Sequence, residues 1–368
     1  MPLKQILCQD KAVSILQNAY KAQRIPHAYI FAGNDGIGKF STAKQWAKLL
    51  LCENPVLENG FYDCCSTCKS CQLVDADSHP DFIHIYKELL EFTKEGKNRQ
   101  PPLELPIDVI REFLVQQAPK KPFHSKRKIF VITEAEKLNP SSQNALLKTL
   151  EEPPGYCSII LICNALDKLL PTTKSRCQTI RFGPVDRSVI ADKLKNFDLD
   201  TETSDFFARF SKGSIGTALF LAKLQAAGAE IYNTKRQIIE TVASLKLEFA
   251  LKAASDFLLV AKKIAKSWSK ISTQTSAKDI ERKSKKLIIN IIISALSDCV
   301  KLNLRQTELI INADQTNSIA KLAASFNPET ASYAIEKAAE NISWIDANVN
   351  EKLIFEHLLL NLCVCVRM

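Results

Sequence analysis

The 368-residue sequence predicts an α/β fold in its first half and an all-helical second half. Three observations carry that reading. A short apolar run, His27-Ala-Tyr-Ile-Phe-Ala32, ends on the glycine loop "GNDGIGKFS", and helical periodicity follows over 41–51 through Ala43, Trp46, Ala47, Leu50 and Leu51. Two β-branched runs, 128–133 and 158–163, bracket a helix over 141–150 that starts at Pro140 and stops at Pro153-Pro154. Beyond Pro184 no strand pattern returns. Strand–helix–strand alternation implies a right-handed parallel sheet extending to about Phe182.

Taken in order, residues 4–21 have helical apolar spacing that ends before Arg24-Ile25-Pro26. The stretch 95–106, rich in charge and proline, reads as a surface loop. Residues 186–226 form a small helical unit containing the turn Lys212-Gly-Ser-Ile-Gly-Thr217, and a basic stretch, 262–286, lies within the final helical segment. The expected domains are 1–183, 184–226 and 227–368. Hydrophobic content of 46% against 24% charged residues is enough to build cores. The richest apolar run, 287–296, is too short to cross a bilayer, and the N-terminus lacks a secretory pattern, so the expectation is a soluble cytoplasmic protein. A net charge of +9 is compatible with a nucleic-acid partner without requiring one.

Five of the twelve cysteines, Cys52, Cys64, Cys65, Cys68 and Cys71, fall within twenty residues. Cys65-Ser-Thr-Cys68-Lys-Ser-Cys71 has the spacing that lets three thiolates converge on one ion, and Cys52 supplies a fourth. Four thiolates around tetrahedral Zn²⁺ make a closed structural site with no position left for catalysis. Cys64 competes with Cys65 for this role. The expected zinc module covers about 52–71.

In the glycine loop, Gly33, Gly38 and Lys39 sit in register with the phosphate-cradling pattern G-x-x-x-x-G-K-[ST], and Gly36 adds another open backbone amide. The next position should hold the hydroxyl that ligates Mg²⁺, yet it is Phe40. Magnesium requires oxygen ligands in near-octahedral geometry. Ser41 is a poor replacement, because one residue further along a helix its side chain leaves about 100° round the axis.

The segments "HAYIFAGNDGIGK", "HPDFIHI", "ITEAEKLNPSSQNALLKTLEEPP" and "SRCQTIRF", together with the cysteine module, resemble the bacterial DNA polymerase III clamp-loader subunits, gamma/tau and delta-prime, of the AAA+ class. The likeness covers about 6–182. It implies an AAA+ P-loop domain with an inserted zinc module, a small helical lid and an all-α C-terminal collar. It also implies a hetero-pentamer with gamma/tau and delta subunits that places a sliding clamp on primed DNA.

The resemblance further assigns roles. The aspartate that engages Mg²⁺ is replaced by Thr133, which can hydrogen-bond a metal-bound water but brings no charge. The glutamate that polarises water is retained as Glu134, a vestigial base with no organised metal beside it. Asn164 matches the polar sensor after the next strand. The lid arginine that reaches the γ-phosphate is replaced by Gly216. Ser175-Arg176-Cys177 matches the motif whose arginine acts in trans on a neighbour's γ-phosphate. Arg176 is therefore the expected catalytic contribution, ATP hydrolysis by the chain itself is not expected, and Mg²⁺ is not expected at this site. Weak ATP or ADP binding at Gly33, Gly36, Gly38, Lys39 and Asn164 and a loop with no nucleotide at all remain the two open alternatives. For the whole chain, the alternatives to a delta-prime-like subunit are an active gamma/tau-like ATPase and a zinc-dependent nucleic-acid-binding module. The resemblance places DNA contact in the AAA+ domain, so the Lys and Arg residues of 120–128 are candidates beside 262–286.

Overall fold

The computed structural model of the chain describes residues 2–96, 103–272 and 275–365. Two compact units emerge: the first runs to Val189 and takes back Gly213–Gly216, and the second holds Ile190–Lys212 and the chain from Thr217 on. None of the described helices is long and apolar enough to cross a membrane.

The first unit is built on a five-stranded parallel sheet. Its strands are β1 (Ala28–Ala32), β4 (Phe82–Ile85), β5 (Lys128–Ile132), β6 (Cys157–Cys163) and β7 (Gln178–Arg181), in the order β4-β5-β6-β1-β7. The three central strands are buried along their whole length, as their largely apolar runs require. The edge strands are less obvious in sequence. β7 has one apolar residue, the buried Ile180, among Gln178, Thr179 and Arg181, and β4 carries His84.

Two apolar cores cover the faces of this sheet. One gathers Leu16, Tyr29, Phe31, Trp46, Val131 and Ile160, with helices α1 (Asp10–Lys21) and α2 (Lys39–Leu51) supplying the outer layer. The other gathers Ile30, Val109, Leu114, Phe130, Leu146 and Leu161. Helix α1 is shorter than the spacing over 4–21 predicts, because a 3₁₀ turn at Leu3–Gln5 and a left-handed Cys8 precede it.

Between α2 and β4 the chain adds a hairpin and helix α3 (Lys69–Asp75). Its strands β2 (Val56–Glu58) and β3 (Phe61–Asp63) pair antiparallel across Asn59-Gly60, both at positive φ. Asn-Gly favours such a turn because its twist matches that of the strands. Half of the loop expected over 95–106 lies outside the described residues, but Leu105 is fully buried and its N–H donates to the Lys137 carbonyl at 2.8 Å. That end of the segment is core, not surface.

The second unit is helical. Helix α5 (Ala277–Asn303) packs on α6 (Pro328–Asp346), and α4 (Ala250–Ile271) packs on α7 (Glu351–Cys365). A buried Lys235 reaches both Asp314 oxygens, at 2.5 and 2.6 Å, and the Tyr232 hydroxyl joins Asp314 to Glu202. Much of the basic stretch is paired: Arg282 with Asp279, Lys285 with Glu351 and Lys286 with Asp346. Trp268 packs on Phe220 with ring centroids 4.4 Å apart.

Candidate nucleotide pocket and metal centre

Strand β1 ends at Ala32, just before Gly33, and α2 begins at Lys39 with Gly38 as its N-cap. Gly38 has φ +100°, a left-handed conformation that lets the helix amides face the loop and that disfavours other residues. In a working loop the lysine ammonium points at phosphate oxygens. Here Lys39 turns onto the protein itself. Its Nζ donates to the carbonyls of Gly33, at 2.7 Å, and Asn34, and to Asn164 Oδ1 at 2.9 Å. Burial lowers the Lys39 pKa, opposed by Asp35 and Glu136. Asn164 is fixed in turn, its backbone N–H donating to Glu136 Oε2 at 3.1 Å.

The segment Gly213–Gly216 closes over the same loop. The Gly216 N–H donates to the Gly36 carbonyl at 2.7 Å, and a Cβ built on Gly216 would lie 2.8 Å from the Gly36 Cα. An arginine at 216 has no room in this arrangement. Glycine at that position does more than remove a cation, because it lets backbone rest on backbone.

The two positions at which the resemblance expects magnesium ligands, Phe40 and Thr133, both contact protein. Phe40 stacks on His84 with centroids 4.7 Å apart and rings inclined at 42°. His84 lies in β4 opposite Val131, and its Nε2 pairs with Thr133 Oγ1 at 3.2 Å. The threonine hydroxyl also lies 3.4 Å from the Ile85 carbonyl, so it is engaged within the protein. Thus both residues that stand where metal ligands are expected converge on a single imidazole. Burial pushes the His84 pKa down to about 4, with Asp77 opposing. Ser41 is exposed. Glu134, at φ 53°, turns its carboxylate to Lys137. Sequence reasoning did not single out His84; the quoted "HPDFIHI" contained it without indicating what it would touch.

Arg176 caps the short helix Pro171–Ser175. Its guanidinium makes an ion pair with Glu151 at 2.8 Å and donates to the Thr172 carbonyl at 3.1 Å. The side chain stays about one-third exposed, with its head at the surface.

The four thiols of Cys52, Cys65, Cys68 and Cys71 all lie within 4.8 Å of one another. The Cys52–Cys65, Cys52–Cys68 and Cys65–Cys71 separations are 3.5, 3.9 and 4.0 Å. A tetrahedral zinc with Zn–S near 2.3 Å separates its sulfurs by about 3.8 Å, so the set fits one such ion. Backbone N–H groups of Cys65, Cys68 and Cys71 point at the sulfurs of Cys52, Cys65 and Cys68. Cys64 does not belong to the set; its sulfur lies beside Ser66 Oγ at 3.5 Å. Three strand residues, Phe61–Asp63, separate the hairpin turn from Cys64, and the chain reaches the cluster one residue later, at Cys65.

Of the basic candidates, Lys128 is withdrawn from solvent. It is buried, and its Nζ donates to the carbonyls of Gln117 and Lys120, both at 3.1 Å.

Comparison with known proteins adds a family. The family described as "DNA polymerase III, delta subunit" matches residues 8–186, and its C-terminal counterpart, "DNA polymerase III, delta subunit, C terminal", matches residues 260–363. The delta-prime subunit of Bacillus subtilis DNA polymerase III is 24% identical over 96% of this chain and 96% of its own length. That of Pseudomonas aeruginosa is 31% identical over 67% of this chain and 66% of its own. The gamma/tau subunit of Mycoplasma pneumoniae is 33% identical over 58% of this chain, which spans only 29% of that relative.

Two predictions follow from this geometry. Purified chain carries one zinc ion by elemental analysis; Cys65→Ser loses it and Cys64→Ser keeps it. For His84, the folded pKa near 4 lies below the ordinary 6.5, so the unfolded state binds more protons between those values. Stability from this group is whole above pH 6.5 and declines as pH falls toward 4. Urea unfolding at pH 5 should therefore show a loss of about 2 kcal/mol relative to pH 7 that His84→Phe removes.

Proposed function

We propose, from the premise that the chain belongs to the gamma/tau and delta-prime family of bacterial DNA polymerase III clamp-loader subunits, that it is the delta-prime-like member of its loader. It assembles with gamma/tau and delta subunits in a hetero-pentamer and takes part in placing the sliding clamp on primed DNA. The first 183 residues act as the AAA+ domain, 184–226 as the lid and 227–368 as the collar. One Zn²⁺ held by Cys52, Cys65, Cys68 and Cys71 braces the inserted module.

The observation that carries the reading is the Phe40–His84–Thr133 cluster. A productive phosphoryl-transfer site needs Mg²⁺ bridging phosphate oxygens, held by a hydroxyl and a carboxylate of the protein. This cluster offers neither an aspartate nor a free hydroxyl. Lys39 bound to loop carbonyls and Gly216 bound to Gly36 support the same conclusion from the phosphate side. The chain does not hydrolyse ATP; it supplies Arg176 to the site of an adjacent subunit. For that, the guanidinium exchanges Glu151 and the Thr172 carbonyl for phosphate oxygens, trading one anionic partner for another.

The isolated chain accordingly shows no ATP turnover above background. In a reconstituted loader, Arg176→Ala leaves assembly intact and lowers turnover at the neighbouring site by on the order of a thousandfold. Robust hydrolysis by the chain alone, or unchanged turnover in the Arg176→Ala loader, overturns the assignment.

A further inference from the structure

We propose, on the reading of Cys52, Cys65, Cys68 and Cys71 as one zinc site, that the Lys48 ammonium is the counter-charge of that centre: it offsets the negative charge of the thiolates and slows loss of the ion. Four thiolates overbalance a divalent cation, so the filled centre carries net negative charge inside the protein. Groups around the ligands then decide how firmly the metal is held, as much as the ligands themselves.

Two helices bring the groups together. Cys52 is the C-cap of α2, and Lys48 lies four residues before it, about one turn back on the same side of the helix. In α3, Cys71 and Asp75 stand in the same four-residue relation. The two pairs close on one another. Lys48 Nζ donates to Asp75 Oδ2 at 2.5 Å and to Ser66 Oγ at 3.4 Å, and Ser66 directly follows Cys65. Ser66 Oγ in turn lies 3.5 Å from the sulfur of Cys64. Only 1% of the Lys48 side chain is exposed. Burial by itself lowers its pKa, yet Asp75 and the sulfurs of Cys64 and Cys71 outweigh that, and the net shift is upward. The ammonium stays charged.

A tie between α2 and α3 does not call for a cation placed so deeply. One turn earlier, Lys44 pairs with the exposed Asp77 at 2.6 Å and joins α2 to the chain just beyond α3 at the surface. Withdrawing an ammonium from water is costly unless opposite charge meets it. Asp75 meets it only in part, because 46% of that side chain is exposed and water screens its carboxylate. The other acids near the cysteines are engaged elsewhere. Asp63 accepts the N–H groups of Leu3, Lys4 and Cys64, while Glu53 accepts the Ser70 N–H and faces His124. Lys69, the cation within the cysteine segment itself, is exposed. Lys48 and the thiolates are therefore the buried charges of opposite sign in this module.

The test is zinc transfer from the loaded full chain to an excess of a coloured chelator at neutral pH, without nucleotide or partner subunits. Lys48→Met keeps the apolar stem, removes the charge and leaves Asp75 open to water; it should release zinc about 10- to 100-fold faster than wild type. Asp75→Asn removes the competing carboxylate but keeps the ammonium, and should release zinc no faster than wild type. A role confined to tying α2 to α3 predicts instead that both substitutions speed release alike. With cobalt in place of zinc, the sulfur-to-metal charge-transfer band should move to longer wavelength in Lys48→Met, because loss of a nearby cation raises the energy of the sulfur electrons. In Asp75→Asn it should not. Equal release by wild type and Lys48→Met overturns the proposal. If Lys48→Met does not fold, Asp75→Asn decides alone: release at or below the wild-type rate upholds the proposal, and faster release overturns it. Zinc content is a separate reading. A wild-type chain that binds no zinc refutes the metal centre itself, whereas a zinc-bound chain with unaltered release in Lys48→Met refutes only the part given to Lys48.

Discussion

The imidazole of His84 is wedged between the two side chains that stand where a magnesium-binding pocket would place its ligands, and the character of the first unit turns on that contact. An aromatic ring beside a P-loop lysine would be a defect if it faced open water and a waiting ion. Stacked on a partly buried, neutral ring that also pairs with Thr133, Phe40 becomes part of the packing. The neutral state matters. A protonated imidazole would put a second cation near Lys44, and burial keeps that charge away. Two substitutions that look independent in sequence thus share one partner in β4.

The glycine loop is likewise engaged within the protein. Lys39 finds three acceptors within its own chain, and Asn164 is one of them. Gly216 rests on Gly36 through a backbone hydrogen bond that a larger residue would disrupt. The loop is satisfied internally, and the strand–loop–helix geometry is held by those bonds. The cysteine module and the basic loop before β5, residues 120–127, lie on the opposite side of this arrangement. They meet where Ser125 approaches the Leu51 carbonyl and His124 approaches Glu53, one residue from Cys52.

What could be read from the sequence follows from what each residue must do locally. β1, β5 and β6 were legible because central strands of a parallel sheet are apolar on both faces. β4 and β7 were not, because they lie at the sheet's edges and tolerate His84, Gln178 and Thr179. The cysteine spacing announced a metal site, but the choice between Cys64 and Cys65 depended on where the hairpin ends, which the Asn59-Gly60 turn sets. Phe40, Thr133 and Gly216 were recognisable as departures from a pattern. Their meeting with His84 and Gly36 was not, since those contacts join positions about 40, 50 and 180 residues apart in the chain, and no local signal encodes them.

The central claim is that the protein's own side chains hold the place of magnesium. Isothermal titration of a non-hydrolysable ATP analogue into the isolated chain, with and without Mg²⁺, tests it most directly. The account predicts that any heat of binding is the same in both series. An affinity that rises when Mg²⁺ is added would show an ion seated beside Phe40 and Thr133, and would contradict it.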